Sequence, residues 1–167
     1  MTTSDPRSQR LKDFGATFKP ANVQTGQPYW AIVSADGPVD IGGNHHWYID
    51  TLGVDGERVV GVPVEFFWDS DQQHVLIYSE AKPGEQQSLN LPLYAGGNAY
   101  GVRIVDGLPS DEIFGVGLGD NVPHHSFRTI YRRMIADTGT TPVDPPQTDH
   151  EALQAIKRIV DAQLGTV

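Results

Sequence analysis

The stretch Asn44-His45-His46-Trp47-Tyr48-Ile49-Asp50-Thr51-Leu52, the turn Val54-Asp55-Gly56-Glu57 and the run from Val60 to Trp68 decide the fold class. Side chains of an extended strand alternate between faces, so His45, Trp47, Ile49 and Thr51 fall together in the first segment. In the last, Val60, Val62, Val64, Phe66 and Trp68 share one face and Glu65 lies opposite. Asp55-Gly56 carries the turn chemistry of a hairpin between them. A sheet patterned in this way buries one face and wets the other.

The same rhythm extends in both directions. Tyr29 to Val33 reads as a strand upstream. Downstream come His74 to Ser79, the alternating Leu89, Leu91 and Leu93, Ala99 to Val105, Ile113 to Leu118, and His125 to Arg133. Turn residues such as Asp69-Ser70-Asp71, Lys82-Pro83-Gly84 and Asp106-Gly107 separate them. Short strands at this spacing predict an all-β, antiparallel immunoglobulin-like sandwich of seven or eight strands over residues 28–136, with a small closed barrel as the structural alternative. Gly115-Val116-Gly117-Leu118-Gly119 lacks the spacing of a phosphate loop and reads as a bulged strand or a close backbone approach.

The flanks differ in composition. Residues 1–27 hold four basic and two acidic groups and few apolar ones, which predicts a polar N-terminal arm, either disordered or ordered on a neighbouring subunit. Within it Ser4-Asp5-Pro6 is a start signal for a short helix running to about Phe14. Residues 137–147 contain three prolines and predict an extended linker. From Thr148 to Val167, a capping-box pattern (Thr148, Glu151) precedes an apolar stripe that includes Leu153, Ile156, Ile159, Val160 and Leu164, which predicts an amphipathic C-terminal helix. A helix that short is marginal alone, so the stripe is expected to contact its own domain, a second copy or another protein.

The whole chain of 167 residues carries 21 acidic and 12 basic side chains, a net charge of −9, and no cysteine. The charge argues against a nucleic-acid backbone as partner. Lack of cysteine excludes disulfides, thiol catalysis and Cys-ligated zinc. No stretch is apolar over the roughly 18 residues a membrane span needs, and the N-terminus has no signal-peptide core, so a protein kept soluble without Sec export is expected.

The segment Asp55-Gly56-Glu57-Arg58-Val59-Val60-Gly61-Val62-Pro63-Val64-Glu65-Phe66 resembles the recurring hairpin of immunoglobulin-like and prealbumin-like modules of bacteria and phages. Four blocks in order, Asn44 to Asp50, Pro92 to Tyr100, Gly107 to Asp111 and His124 to Phe127, resemble a module attached to bacterial and phage cell-wall hydrolases and found in phage proteins of unassigned role. That resemblance spans residues 28–134. It implies an accessory, non-catalytic module and brings no defined ligand.

Candidate chemistry is sparse. His45-His46 and His124-His125 would make a metal site only by meeting across strands, with Asp50 or Asp120 in support. Satisfied strand histidines are the simpler reading, so neither metal nor cofactor is expected. Asp69-Ser70-Asp71 and Gly119-Asp120-Asn121 read as turns rather than calcium loops. Ser110 is not in a nucleophile elbow, and no carboxylate pair is set apart by an apolar setting. Trp47 and Trp68 read as core, whereas Tyr29 and Trp30, at the border of arm and body, are the candidate ligand contacts for a sugar platform.

These readings predict a protein that is not an enzyme. The leading expectation is a structural or attachment protein, a phage virion component such as a capsid decoration or tail-associated subunit, assembling with itself and other virion proteins through its terminal extensions. The alternative is a carbohydrate-binding accessory module that recognises cell-surface glycan.

Overall fold

The computed structural model describes residues 5–39, 44–68, 73–82, 87–94, 99–118 and 124–137. The chain divides into two units, Met1–Ala136 and Asp137–Val167. The predicted linker beyond Asp137, the C-terminal helix and its residues Leu153, Ile156, Ile159, Val160 and Leu164 lie outside the described residues.

The first unit is mostly β. Its elements are α1 (Gln9–Phe14), β1 (Thr17–Lys19), β2 (Pro28–Val39), β3 (His46–Leu52), β4 (Pro63–Trp68), β5 (Gln73–Tyr78), β6 (Leu89–Pro92), β7 (Tyr100–Ile104), β8 (Glu112–Val116) and β9 (Ser126–Ile135). They form a five-stranded sheet, β1-β8-β7-β4-β5, and a four-stranded sheet, β2-β9-β3-β6. Among the described residues there are nine strands, eight of them within residues 28–136 as expected and the ninth, β1, ahead of that range; the arrangement is mixed, since β3 runs parallel to β9 while the other pairs are antiparallel.

One apolar core lies between the sheets. Trp47, Ile49, Phe127 and Tyr131 of the smaller sheet meet Val64, Phe66, Val102, Ile104 and Ile113 of the larger one. Trp47 and Phe66 pack edge to face with ring centroids 5.8 Å apart. The Tyr131 hydroxyl crosses the core to donate to the Val102 carbonyl at 3.0 Å, which satisfies a buried phenol that burial would otherwise make costly.

The expected hairpin exists only as a stub. Gly53 and Val59 donate backbone bonds to Glu57 and Thr51, and Gly56 takes the positive φ of 86° that its turn requires. Beyond it the chain breaks at Gly61, φ 76°, and β4 joins the opposite sheet. Val60 is therefore 54% exposed, not on the buried face with Val62, Val64 and Phe66. Nor is the outer face of β4 fully wet. Phe67 is buried there because its cross-strand partner is Gly101, whose missing side chain leaves room for the ring. Phe114 stacks on Phe67 at 6.0 Å and the Arg103 guanidinium lies 4.8 Å from its centroid.

The N-terminal segment is not an arm. From Asp5 onward it belongs to the body. Ser8 caps α1, later than the start expected at Ser4-Asp5-Pro6, and its hydroxyl accepts from Leu11 N–H at 3.3 Å. Leu11 and Ala16 are buried in the core, and Thr17 to Lys19 add a strand to β8. Gly115, φ 91°, forms the bulge in β8 that admits this segment, since its missing Cβ faces Ala16. Further along, the buried Asp111 carboxylate accepts from Ala21 N–H and Ile32 N–H, both at 2.8 Å. Few apolar groups suffice because the segment borrows hydrogen bonds and core surface already present in the body.

Candidate binding groove

The edge strands β5 and β6 face each other across the open side of the two sheets, and their neighbours converge at one end. Register places Trp68, the last residue of β4, opposite both Tyr100 of β7 and Gln73 of β5. Pro92, the last residue of β6, lies opposite His46. The result is a groove of about 470 Å³ lined by Trp68, Val75, Leu91, Pro92, Tyr94 and Tyr100. Apart from the Tyr hydroxyls and the indole N–H, its wall is apolar.

Hydrogen bonds position the aromatic groups of this groove, in which Tyr100 is buried at the floor and Trp68 is half-buried. Trp68 donates its indole N–H to the Gln73 side-chain oxygen and packs on Tyr100 at 5.6 Å. The Tyr100 hydroxyl accepts from Tyr94 N–H at 3.0 Å, which ties the exit of β6 to β7. Tyr94 is 78% exposed, the most exposed large apolar side chain among the described residues. Imidazoles continue the rim. The His45 ring lies 6.0 Å from Tyr94, 5.6 Å from His46 and 6.4 Å from His124, and His46 stacks on Tyr48 at 5.6 Å. Beyond Tyr48, a polar hollow of about 200 Å³ is bordered by Lys82, Gln87 and Asn90.

The two histidine pairs thus meet through His45 and His124, yet among the described residues no three His, Asp or Glu side chains are placed to hold a metal ion. His45 precedes β3, so strand alternation does not separate it from His46, and the two rings stack. Burial, reinforced by the neighbouring His45, lowers the pKa of His46. Its Nδ1 is buried without a hydrogen-bond partner, as is that of His125. Asp50 does not join them. Its buried carboxylate accepts from Ser88 N–H at 3.1 Å and pairs with Arg128 at 3.0 Å and Arg58 at 3.3 Å. Asp120 and both candidate calcium turns lie outside the described residues.

The residues expected to touch ligand are elsewhere. Trp30 is 0% exposed, its indole N–H donating to Asp106 at 2.9 Å and its face covered by Arg133 at 4.8 Å. Its backbone is clamped as well, bonding to Pro109 and Asp111. Tyr29 is half-buried opposite Met134, at the far end of the sheet from the groove, and burial raises its pKa. Ser110 is spent structurally, accepting from Ile104 N–H and donating to the Asp111 carbonyl.

Sequence reading missed the groove because Trp68 ends a buried face, where alternation alone makes it core. The signal that was present is the position of Trp68 directly before the turn residues Asp69-Ser70-Asp71, since a strand's last inward side chain sits at the rim of the layer. Among the described residues no helix is long and apolar enough to cross a membrane. No family model matches this chain, and no curated protein or solved structure matches it either.

Proposed function

We propose that this chain is a non-enzymatic attachment module of immunoglobulin-like type that holds a cell-surface glycan in the groove of Trp68, Tyr94 and Tyr100. The observation that carries this reading is the exposure of Tyr94 at the mouth of an aromatic groove. Pyranose rings present apolar C–H faces that stack on such side chains, while His45 and the hollow at Lys82 and Asn90 offer hydrogen-bonding groups for hydroxyls nearby.

The test is calorimetric titration of the full chain with chitin oligosaccharides and with solubilised peptidoglycan glycan strands. Saturable binding to one of them is expected, weakened at least tenfold in Tyr94→Ala, equivalent to ~1.4 kcal/mol. Absence of binding to both, or unchanged binding by Tyr94→Ala, overturns the proposal.

A second reading, a phage virion subunit assembling with copies of itself and other virion proteins, is favoured by an open strand edge on β5. On that reading, changing Leu153, Ile156 and Val160 to Asp should lower the native mass and block incorporation.

A further inference from the structure

Among the described residues four strands form the edges of the two sheets, and three are protected against further pairing. β1 is three residues long and ends in Lys19, which pairs with Glu112 at 3.7 Å. The outer edge of β2 is occupied, with Ala35 bonded to Pro6 and Ser8, and Trp30 to Pro109 and Asp111. β6 has four residues and ends in Pro92.

β5 has none of these devices. Gln73-His74-Val75-Leu76-Ile77-Tyr78 contains no Lys, Arg, Asp, Glu or Pro, and β4 is its one strand partner among the described residues. The direction of its free groups follows from the ends of the ladder. The Pro63 carbonyl accepts from Val105 N–H, so Pro63 faces β7 and its successor Val64 faces β5. Ser79 bonds through both N–H and C=O to Val62 and Gly61. Alternation from both anchors turns Val75 and Ile77 toward β4, and the N–H and C=O groups of His74, Leu76 and Tyr78 toward the open edge. The side chains of these same three residues stand on the outer face, with Leu76 44% and Tyr78 55% exposed.

We propose that two copies of this chain pair antiparallel through β5 about a two-fold axis at Leu76. In that register Leu76 faces Leu76 of the second copy, and His74 faces its Tyr78. All three outward residues become hydrogen-bonded pairs, each exchanging two N–H to O=C bonds. The occupant is a second copy because the edge is complementary to itself. The two-fold leaves no outward donor or acceptor of His74, Leu76 or Tyr78 unpaired, and it sets an imidazole against a phenol and a leucine against a leucine on one face. No ionised side chain of β5 is brought opposite a like charge, in a chain whose net charge is −9. This contact uses the outer edge and outer face of β5, whereas the glycan groove takes Val75 from the inner face of the same strand.

The test is sedimentation of the full chain over a hundredfold range of concentration. A mass twice the 18.3 kDa of one chain is expected, with monomer in Leu76→Arg, which sets two guanidinium groups against each other at the axis. Circular dichroism and the melting temperature establish that this variant folds. The natural chain has no cysteine, so Leu76→Cys carries a single thiol, and residues facing each other in such a pair have Cα atoms about 5.5 Å apart. A short bismaleimide should link Leu76→Cys into dimers and leave Val54→Cys, in an exposed turn, as monomer. A monomeric natural chain overturns the proposal. So does an oligomer that persists in Leu76→Arg, or failure of Leu76→Cys to cross-link while the natural chain dimerises.

Discussion

Replacing Gly101 by alanine puts a methyl group where the Phe67 ring lies, because the two residues are directly opposed in the β4–β7 ladder and a Cβ at 101 overlaps the ring. The ring must leave. Leaving forfeits most of the burial of a phenyl group, about 1.5–3 kcal/mol. It also forfeits the stack on Phe114, about 0.5–1.5 kcal/mol, and the Arg103 contact, about 0.5–1 kcal/mol at a partly exposed site. Partial re-packing recovers some of this, so Gly101→Ala should cost about 2–4 kcal/mol. With a urea m-value near 2 kcal/mol/M, the midpoint falls by about 1–2 M. The decisive measurement is a double-mutant cycle by urea unfolding. In a Phe67→Ala background the same Gly101→Ala change should be neutral or stabilising by up to about 1 kcal/mol, since alanine loses less entropy than glycine in a strand. A cost below 0.5 kcal/mol in the natural background would refute the reasoning, as would an equal cost in both backgrounds (about 0.5 kcal/mol being the usual limit of additivity).

Tyr131→Phe should lower stability by about 1–2 kcal/mol in urea unfolding, through loss of its bond to the Val102 carbonyl. Burial holds the Tyr131 pKa well above its ordinary value, so its contribution is complete below about pH 10 and is lost as pH rises through the folded value. Alkaline unfolding should therefore be shallower in Tyr131→Phe. His46 has the opposite sign: its lowered pKa gives stability that is present above about pH 6.5 and lost as pH falls through the folded value. Unfolding free energies measured between about pH 7.5 and 5 should decline, and His46→Gln should flatten that decline. Trp30 and Trp47 are fully buried, so acrylamide should quench Trp68 selectively, and Trp68→Phe should remove the quenchable emission.

Alternation located strands wherever one face is plainly buried. Trp47 and Ile49, Val62 to Phe66, and Phe127 to Tyr131 lie in the core as their period predicts. What alternation does not encode is which strand pairs with which. Asp55-Gly56 makes its turn, but the choice between returning along β3 and crossing to the other sheet was made at Gly61 and Pro63, two residues that also fit an interrupted hairpin. Phe67 followed the same pattern. Its burial depends on Gly101, a residue in another strand, although a glycine inside a strand is itself a sign of close approach. The N-terminal segment reads as an arm in the sequence because its apolar residues are few, Leu11, Phe14, Phe18 and Val23 among them. Its docking uses backbone bonds to Ala35 and the Asp111 carboxylate, which no local count includes. Trp30 looked like a border residue for the same reason.

The position of β9 bears on how the protein is made. It lies between β2 and β3 and pairs with both, joining Pro28 to Ile135 and Trp47 to Phe127. On the ribosome the two outer partners are therefore synthesised well before the strand that unites them, and β2 waits with its pairing groups unmet. At about 5–20 residues per second that interval lasts on the order of 5–20 s, long compared with the formation of a hairpin in microseconds. The four-stranded sheet closes only once β9 has been made, and a nascent chain stalled before Ser126 would present β2 and β3 as substrates for chaperones.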